Sequence, residues 1–169
     1  MVVRPASVRQ NFAVLSKAYN GASEPKLQLF YAKLALLEVC GWIEETIDTL
    51  ILRHAKHTLP STIEYDRFKK EVVDKQYGLS YKDNIFPMLV GLFGRVGTSE
   101  FETYLNAAEL EILKSTLGTL KAARNAHAHT HLKGATVTVM APSLLEEHFN
   151  RVCEGLKEMD MAFQLMRSA

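Results

Sequence analysis

The residues best suited to chemistry lie together in "KAARNAHAHTH", residues 121–131. Arg124, Asn125, His127, His129 and His131 crowd into this stretch, which holds three of the chain's six histidines. Arginine is a permanent planar cation matched to phosphate oxygens. Histidine titrates near neutrality and can move protons. Together they can cleave RNA without a metal. One imidazole takes the proton of a ribose 2′-OH, the freed oxygen attacks the adjacent phosphorus, and the guanidinium stabilises charge on the equatorial oxygens.

Two other readings compete. Histidines that alternate, as 127, 129 and 131 do, would share one face of a β-strand and could chelate zinc. The surrounding Ala122, Ala123, Ala126 and Ala128 are helix formers, however. On a helix only His127 and His131 align, four apart, and no Cys or carboxylate lies within the cluster to complete a site. The expectation is therefore no metal and no cofactor. A helix C-terminus dressed with cations to meet the helix dipole accounts for one or two histidines. It does not account for Arg124-Asn125 ahead of them among small alanines.

The elements that must position these residues read as helices. "PASVRQNFAVLSKAYNG" opens on Pro and closes at Gly21. Ser23 is the expected cap of the next helix, from Glu24 to about His57. Its Leu36, Val39, Cys40, Ile43, Ile47, Leu50 and Ile51 form one apolar face. Leu27, Phe30, Tyr31, Leu34 and Leu37 widen that surface, as in a central, well-buried helix. Ser61 with Glu64 is a capping box, opening a polar helix that ends near Gly78. Ser80 with Asp83 and Asn106 with Glu109 mark further starts. The apolar "NIFPMLVGLFGRVG" carries Pro87, Gly91, Gly94 and Gly97. Leu110, Leu113, Leu117 and Leu120 set the core face of the helix that ends near His129. Ser143 with Glu146 is expected to cap the last helix, with Leu145, Phe149, Val152, Leu156, Met159 and Phe163 inward. "LKGATVTVMAP" between these two helices is a loop or one short strand. The whole predicts an all-α bundle of about five to six helices around a long antiparallel helix pair, one domain over 1–169. Its core occupies about 24–167, and 1–22 forms an N-terminal helix.

Within that layout, "RNAHAH" resembles the R-x4-6-H signature of HEPN domains, late in a core helix and followed by a loop and a final helix. "LLEVCGWIEETI" looks like the aromatic-plus-acid helix of the RiboL-PSP-type branch. The resemblance covers roughly residues 24–167. It implies a metal-independent endoribonuclease of the toxin–antitoxin or antiphage-defence kind, a homodimer with two motifs facing each other, RNA as substrate and a possible cognate antitoxin. It matches Arg124 to the family Arg and Asn125 to the following polar residue. His129 fits the four-residue spacing and is preferred; His131 fits the six-residue one. A Tyr often follows the motif His by two in paired toxins, and His131 stands there instead, so the chemistry using that Tyr is not expected. Glu44 and Glu45 lie where family members often carry an acid. Glu45 reaches the site only if a dimer buries its otherwise solvated face. The alternative is a catalytically silent HEPN module that binds nucleotide, RNA or a partner protein. A purely structural helical protein, in which the histidine cluster is dispensable, is a third.

Bulk properties narrow the partners. The 169 residues carry a net charge of +1, so contact with nucleic acid must come from a local cluster. Lys33, Glu38, Glu44, Glu45 and Asp48 interrupt the longest apolar stretch and exclude a membrane span there. The start of the chain does not resemble a signal peptide, and a reducing, cytoplasmic setting is expected. Cys40 and Cys153 read as buried free thiols. His54, His57 and His148 read as surface histidines, and Trp42 and the phenylalanines as packing residues.

Overall fold

A computed structural model describes residues 3–128 and 138–168. Its architecture is all-α. The helices are α1 (Ala6–Gly21), α2 (Pro25–Thr58), α3 (Thr62–Glu71), α4 (Phe86–Thr103), α5 (Ala107–Ala128) and α6 (Pro142–Ser168). A 3₁₀ turn, Val73–Lys75, follows α3, and a π turn, Tyr81–Ile85, leads into α4.

Three of the predicted starts form as chemistry requires. Ser61 Oγ accepts from Glu64 N–H at 3.2 Å, Ser80 Oγ from Asp83 N–H at 3.2 Å, and Asn106 Oδ1 from Ala108 and Glu109 N–H at 2.9 and 3.3 Å. The other two do not. Pro25 and Pro142 begin their helices, so Glu24 takes the cap position that Ser23 was expected to fill. Ala141, not Ser143, receives the first helical bond, from Leu145 N–H. A proline at the first position has no N–H to leave unsatisfied and presets φ, so it fixes the start itself. α3 ends at Glu71, short of the expected Gly78. Its continuation would need the β-branched pair Val72-Val73 to stay helical, and Val73 turns into the core instead. In α4, Gly94 has φ +70°, ψ 174°, and the helix kinks there.

α2 is about 50 Å long by its 34 residues. α1 folds back along it: Arg4 and Ser7 lie beside Thr46 and Thr49, whereas Asn11 donates to Glu38 at 3.4 Å. The antiparallel neighbour of α6 is α5. The start of α5 faces Glu158 and Met159, and Leu113 meets Gly155, where a Cβ would come within 2.9 Å. The two longest helices, α2 and α6, run parallel, since Trp42 meets Phe149 and His54 meets Phe163. All six inward residues expected on α6 are buried, as is the whole α2 face from Leu36 to Ile51. Each fully buried Leu, Ile or Phe contributes about 1.5–3 kcal/mol to holding these faces together. Val8 and Phe12 of α1 join the same core.

The wide apolar surface of α2 is not covered along its whole length. Leu27, Phe30 and Leu34 stay 39–47% exposed, because α1 lies alongside this stretch and shields only one side of it. Among the described residues no helix is long and apolar enough to cross a membrane. Residues 138–141 are neither helix nor strand, and Val139 packs with Ala32, Tyr19 and Leu29. The rest of the expected loop-or-strand lies outside the described residues.

Candidate functional site

The leucine stripe of α5 does not stop at Leu120. The next two positions at its spacing are Arg124 and His127, so polar side chains occupy core positions in the last turns of the helix. His127 is buried and Arg124 half-buried. A polar residue at a core position needs a partner from another element. For Arg124 the partner is Glu44, at the middle of α2. Its Nη2 donates to Glu44 Oε2 at 3.3 Å and lies 3.3 Å from Oε1 as well. Glu44 Oε1 is fully buried, within ion-pair range but without hydrogen-bond geometry.

Glu44 belongs to a face of α2 that also presents Cys40 one turn before it and Asp48 one turn after. Burial pushes the Cys40 thiol up to about 12; Arg124 pulls against this and Glu44 adds to it. The thiol is therefore inert at neutral pH. Burial also pushes Asp48 up to about 6, helped by the charges of Glu44 and Asp74 and opposed by Lys69. Lys69 is itself held on both oxygens of Asp74 at 2.8 Å. On the flank of α5, Lys121 reaches Asp83 at 3.0 Å and ties the helix to the π turn. The outcome is one guanidinium at the edge of an acidic face, fixed in place by a half-buried carboxylate.

The structure brings together some of the expected site residues and separates others. Arg124 and His127 share the inward face of α5. Asn125 is exposed and points about a quarter-turn away. Glu45 is also exposed; it borders Trp42 and Ser7 in the α1–α2 groove, away from Arg124. His129 and His131 lie outside the described residues. Glu44 and Asp48 are the residues that sequence reasoning underweighted. The available signal was their spacing: Cys40, Glu44 and Asp48 recur every four residues at the border of the Ile43/Ile47 stripe. His54 is not a surface histidine. It is buried between the rings of Phe93 and Phe163, at centroid distances of 5.1 and 4.9 Å. Both cysteines are free and buried. Trp42 and Phe149 meet edge to face at 5.2 Å, as packing residues do.

Among the described residues no group of three or more His, Cys, Asp or Glu is arranged to hold a metal ion. Comparison with family models, curated proteins and solved structures finds no match to this chain.

Proposed function

We propose that this chain is a metal-independent endoribonuclease of the HEPN type, acting as a homodimer in toxin–antitoxin or antiphage defence. The observation that carries the reading is the ion pair between Arg124 and Glu44. It holds a guanidinium at the end of α5, next to the chain segment that contains His129 and His131. A guanidinium on a flexible stem loses rotamer freedom when it binds phosphate; one already fixed by a carboxylate loses less. In the proposed reaction a histidine takes the 2′-OH proton, the 2′ oxygen bonds to phosphorus, and the 5′ oxygen leaves and is protonated. The products are a 2′,3′-cyclic phosphate and a 5′-hydroxyl end. Arg124 stabilises the negative charge that builds on the non-bridging oxygens. His129 is the preferred proton-transfer residue and His131 the runner-up, with Asn125 as the polar residue that follows Arg124 in the motif.

A second reading draws on the same contact. Glu44 already meets the charge of Arg124, which suits a catalytically silent module that binds nucleotide, RNA or a partner protein. Structured RNA incubated with the pure protein in EDTA separates the two. The nuclease gives discrete fragments with cyclic-phosphate ends, and Arg124→Ala gives none. The silent module retains RNA in a shift assay and leaves it intact. Fragments that survive Arg124→Ala would refute the assignment.

A further inference from the structure

Away from Arg124, a cavity of about 500 Å³ opens between the π turn, the end of α4 and the middle of α5. That volume lies within the roughly 300–1,000 Å³ range of small-molecule sites. Its floor is aromatic, from Tyr81 and Phe86, and its polar groups are Glu102, Glu111 and Lys114. The way those polar groups are already paired decides what is left for a ligand. Lys114 Nζ lies 2.9 Å from Glu111 Oε1 and 5.0 Å over the Tyr81 ring, so its charge is met and it closes one face of that ring. The Tyr81 hydroxyl donates to Glu102 Oε1 at 2.8 Å. Burial, then Glu102, push the Tyr81 hydroxyl well above its ordinary range, so it stays a donor. Glu102 Oε2 remains, an acceptor-only oxygen with no partner among the described residues, beside an apolar wall.

Gly118 supplies a separate observation. It sits in the middle of α5, where glycine weakens a helix. A Cβ built there meets nothing within 4 Å, so packing does not require glycine. Gly118 does line the cavity, and the space beside its Cα is open.

We propose that this cavity binds a small aromatic amine, its ring against Phe86 and its ammonium on Glu102 Oε2. Glu111 and Lys114 meet each other's charge, which leaves exposed Lys82 and Glu102; of these it is Glu102 that is fixed at the aromatic side of the cavity, by the Tyr81 hydroxyl. This site is independent of the ribonuclease reading.

Tryptamine is the probe, and indole-3-propionate, with the same ring and the opposite charge, is the control. Binding is followed by calorimetry and by amide shifts of the full chain. Tryptamine is expected to bind and to move the amides around Phe86 and Gly118, with indole-3-propionate at least about tenfold weaker. Loss of a charge-assisted hydrogen bond predicts about a tenfold loss for Glu102→Gln. Gly118→Leu should fill the cavity and abolish binding, with a melting temperature equal to or above that of the parent, because leucine is the better helix former. The proposal is overturned if tryptamine does not bind, if both probes bind alike, or if Glu102→Gln binds tryptamine as the parent does. Unchanged binding to a folded Gly118→Leu would overturn it equally.

Discussion

His54 and His127 are both buried, at 4% and 8% exposure, and both continue an apolar stripe: Ile47, Leu50, Ile51, then His54; Leu113, Leu117, Leu120, Arg124, then His127. Their surroundings differ in kind. Rings from α4 and α6 enclose His54, and burial pulls it down to about 4, with the charges of Arg167 and His57 adding to the effect. It is a neutral packing group at physiological pH. His127 lies two turns beyond Leu120 and one beyond Arg124, on the same face as that guanidinium, which a carboxylate holds. A histidine at a stripe position therefore marks burial in both regions. Only the neighbours from other helices separate a structural imidazole from one placed among charges.

That contrast predicts where function and stability come apart. The largest effects should fall on cleavage. Arg124→Ala should cost about 10²–10³ in rate, as loss of a charge-stabilising donor does. His129→Ala should cost about 10²–10⁴, as loss of a proton-transfer group does, with His131→Ala intermediate. His127→Ala should keep most activity but melt earlier, because it empties a buried position. A fluorescent-RNA assay beside thermal melts tests all four; a dead His131→Ala with an active His129→Ala would reverse the assignment of the motif histidine.

The aromatic region should answer in stability alone. His54→Ala opens a cavity among Phe93, Phe101 and Phe163 and should lower unfolding stability by about 2–4 kcal/mol in urea. Cleavage by the folded fraction should be unchanged. A catalytic loss in well-folded His54→Phe would break the comparison.

Acid sharpens it, because the two regions carry opposite signs. The folded pKa of His54 lies below the unfolded value, so the unfolded chain binds the proton more readily. As pH falls from about 6.5 to about 4, His54 withdraws as much as about 3 kcal/mol. Asp48 is raised to about 6, so over the interval from about 6 to 3.8 its protonation favours the folded state. His54→Phe should flatten the acid limb of the stability curve, and Asp48→Asn should steepen it while raising stability above pH 6. Urea midpoints across pH 4–8 give the answer; both variants moving the curve the same way would contradict the assignment.

The smallest effect is the pair itself. A double-mutant cycle on Glu44→Gln and Arg124→Gln should return a coupling of about 1 kcal/mol, since the contact is only half-buried. A coupling near zero would mean that Glu44 does not hold the guanidinium.

Much of the fold was legible because helix faces are a local property. The 3.6-residue period exposed the inward sets of α2, α5 and α6, and short polar side chains three residues ahead of a carboxylate marked Ser61 and Ser80 as caps. The local rules failed where two of them competed: proline overrode Ser23 and Ser143. They also failed where burial depends on which side a partner covers, as at Leu34, which lies at the edge of the α1–α2 groove. The candidate site was legible by halves. Residue types and spacing singled out Arg124 and its histidines.

The sequence by itself determined which residues face inward along each helix, and that polar groups take over the α5 stripe after Leu120. Only the tertiary structure decided that Glu44, eighty residues away, receives Arg124 while Glu45 faces the α1 groove. Only it enclosed His54 in rings and left a carboxylate oxygen of Glu102 open beside Phe86. The physical reason is that a helix pattern fixes the angle of each side chain about its own axis. Partners across helices depend on how far each helix slides and turns against its neighbours, and that is settled by the packing of the whole core at once.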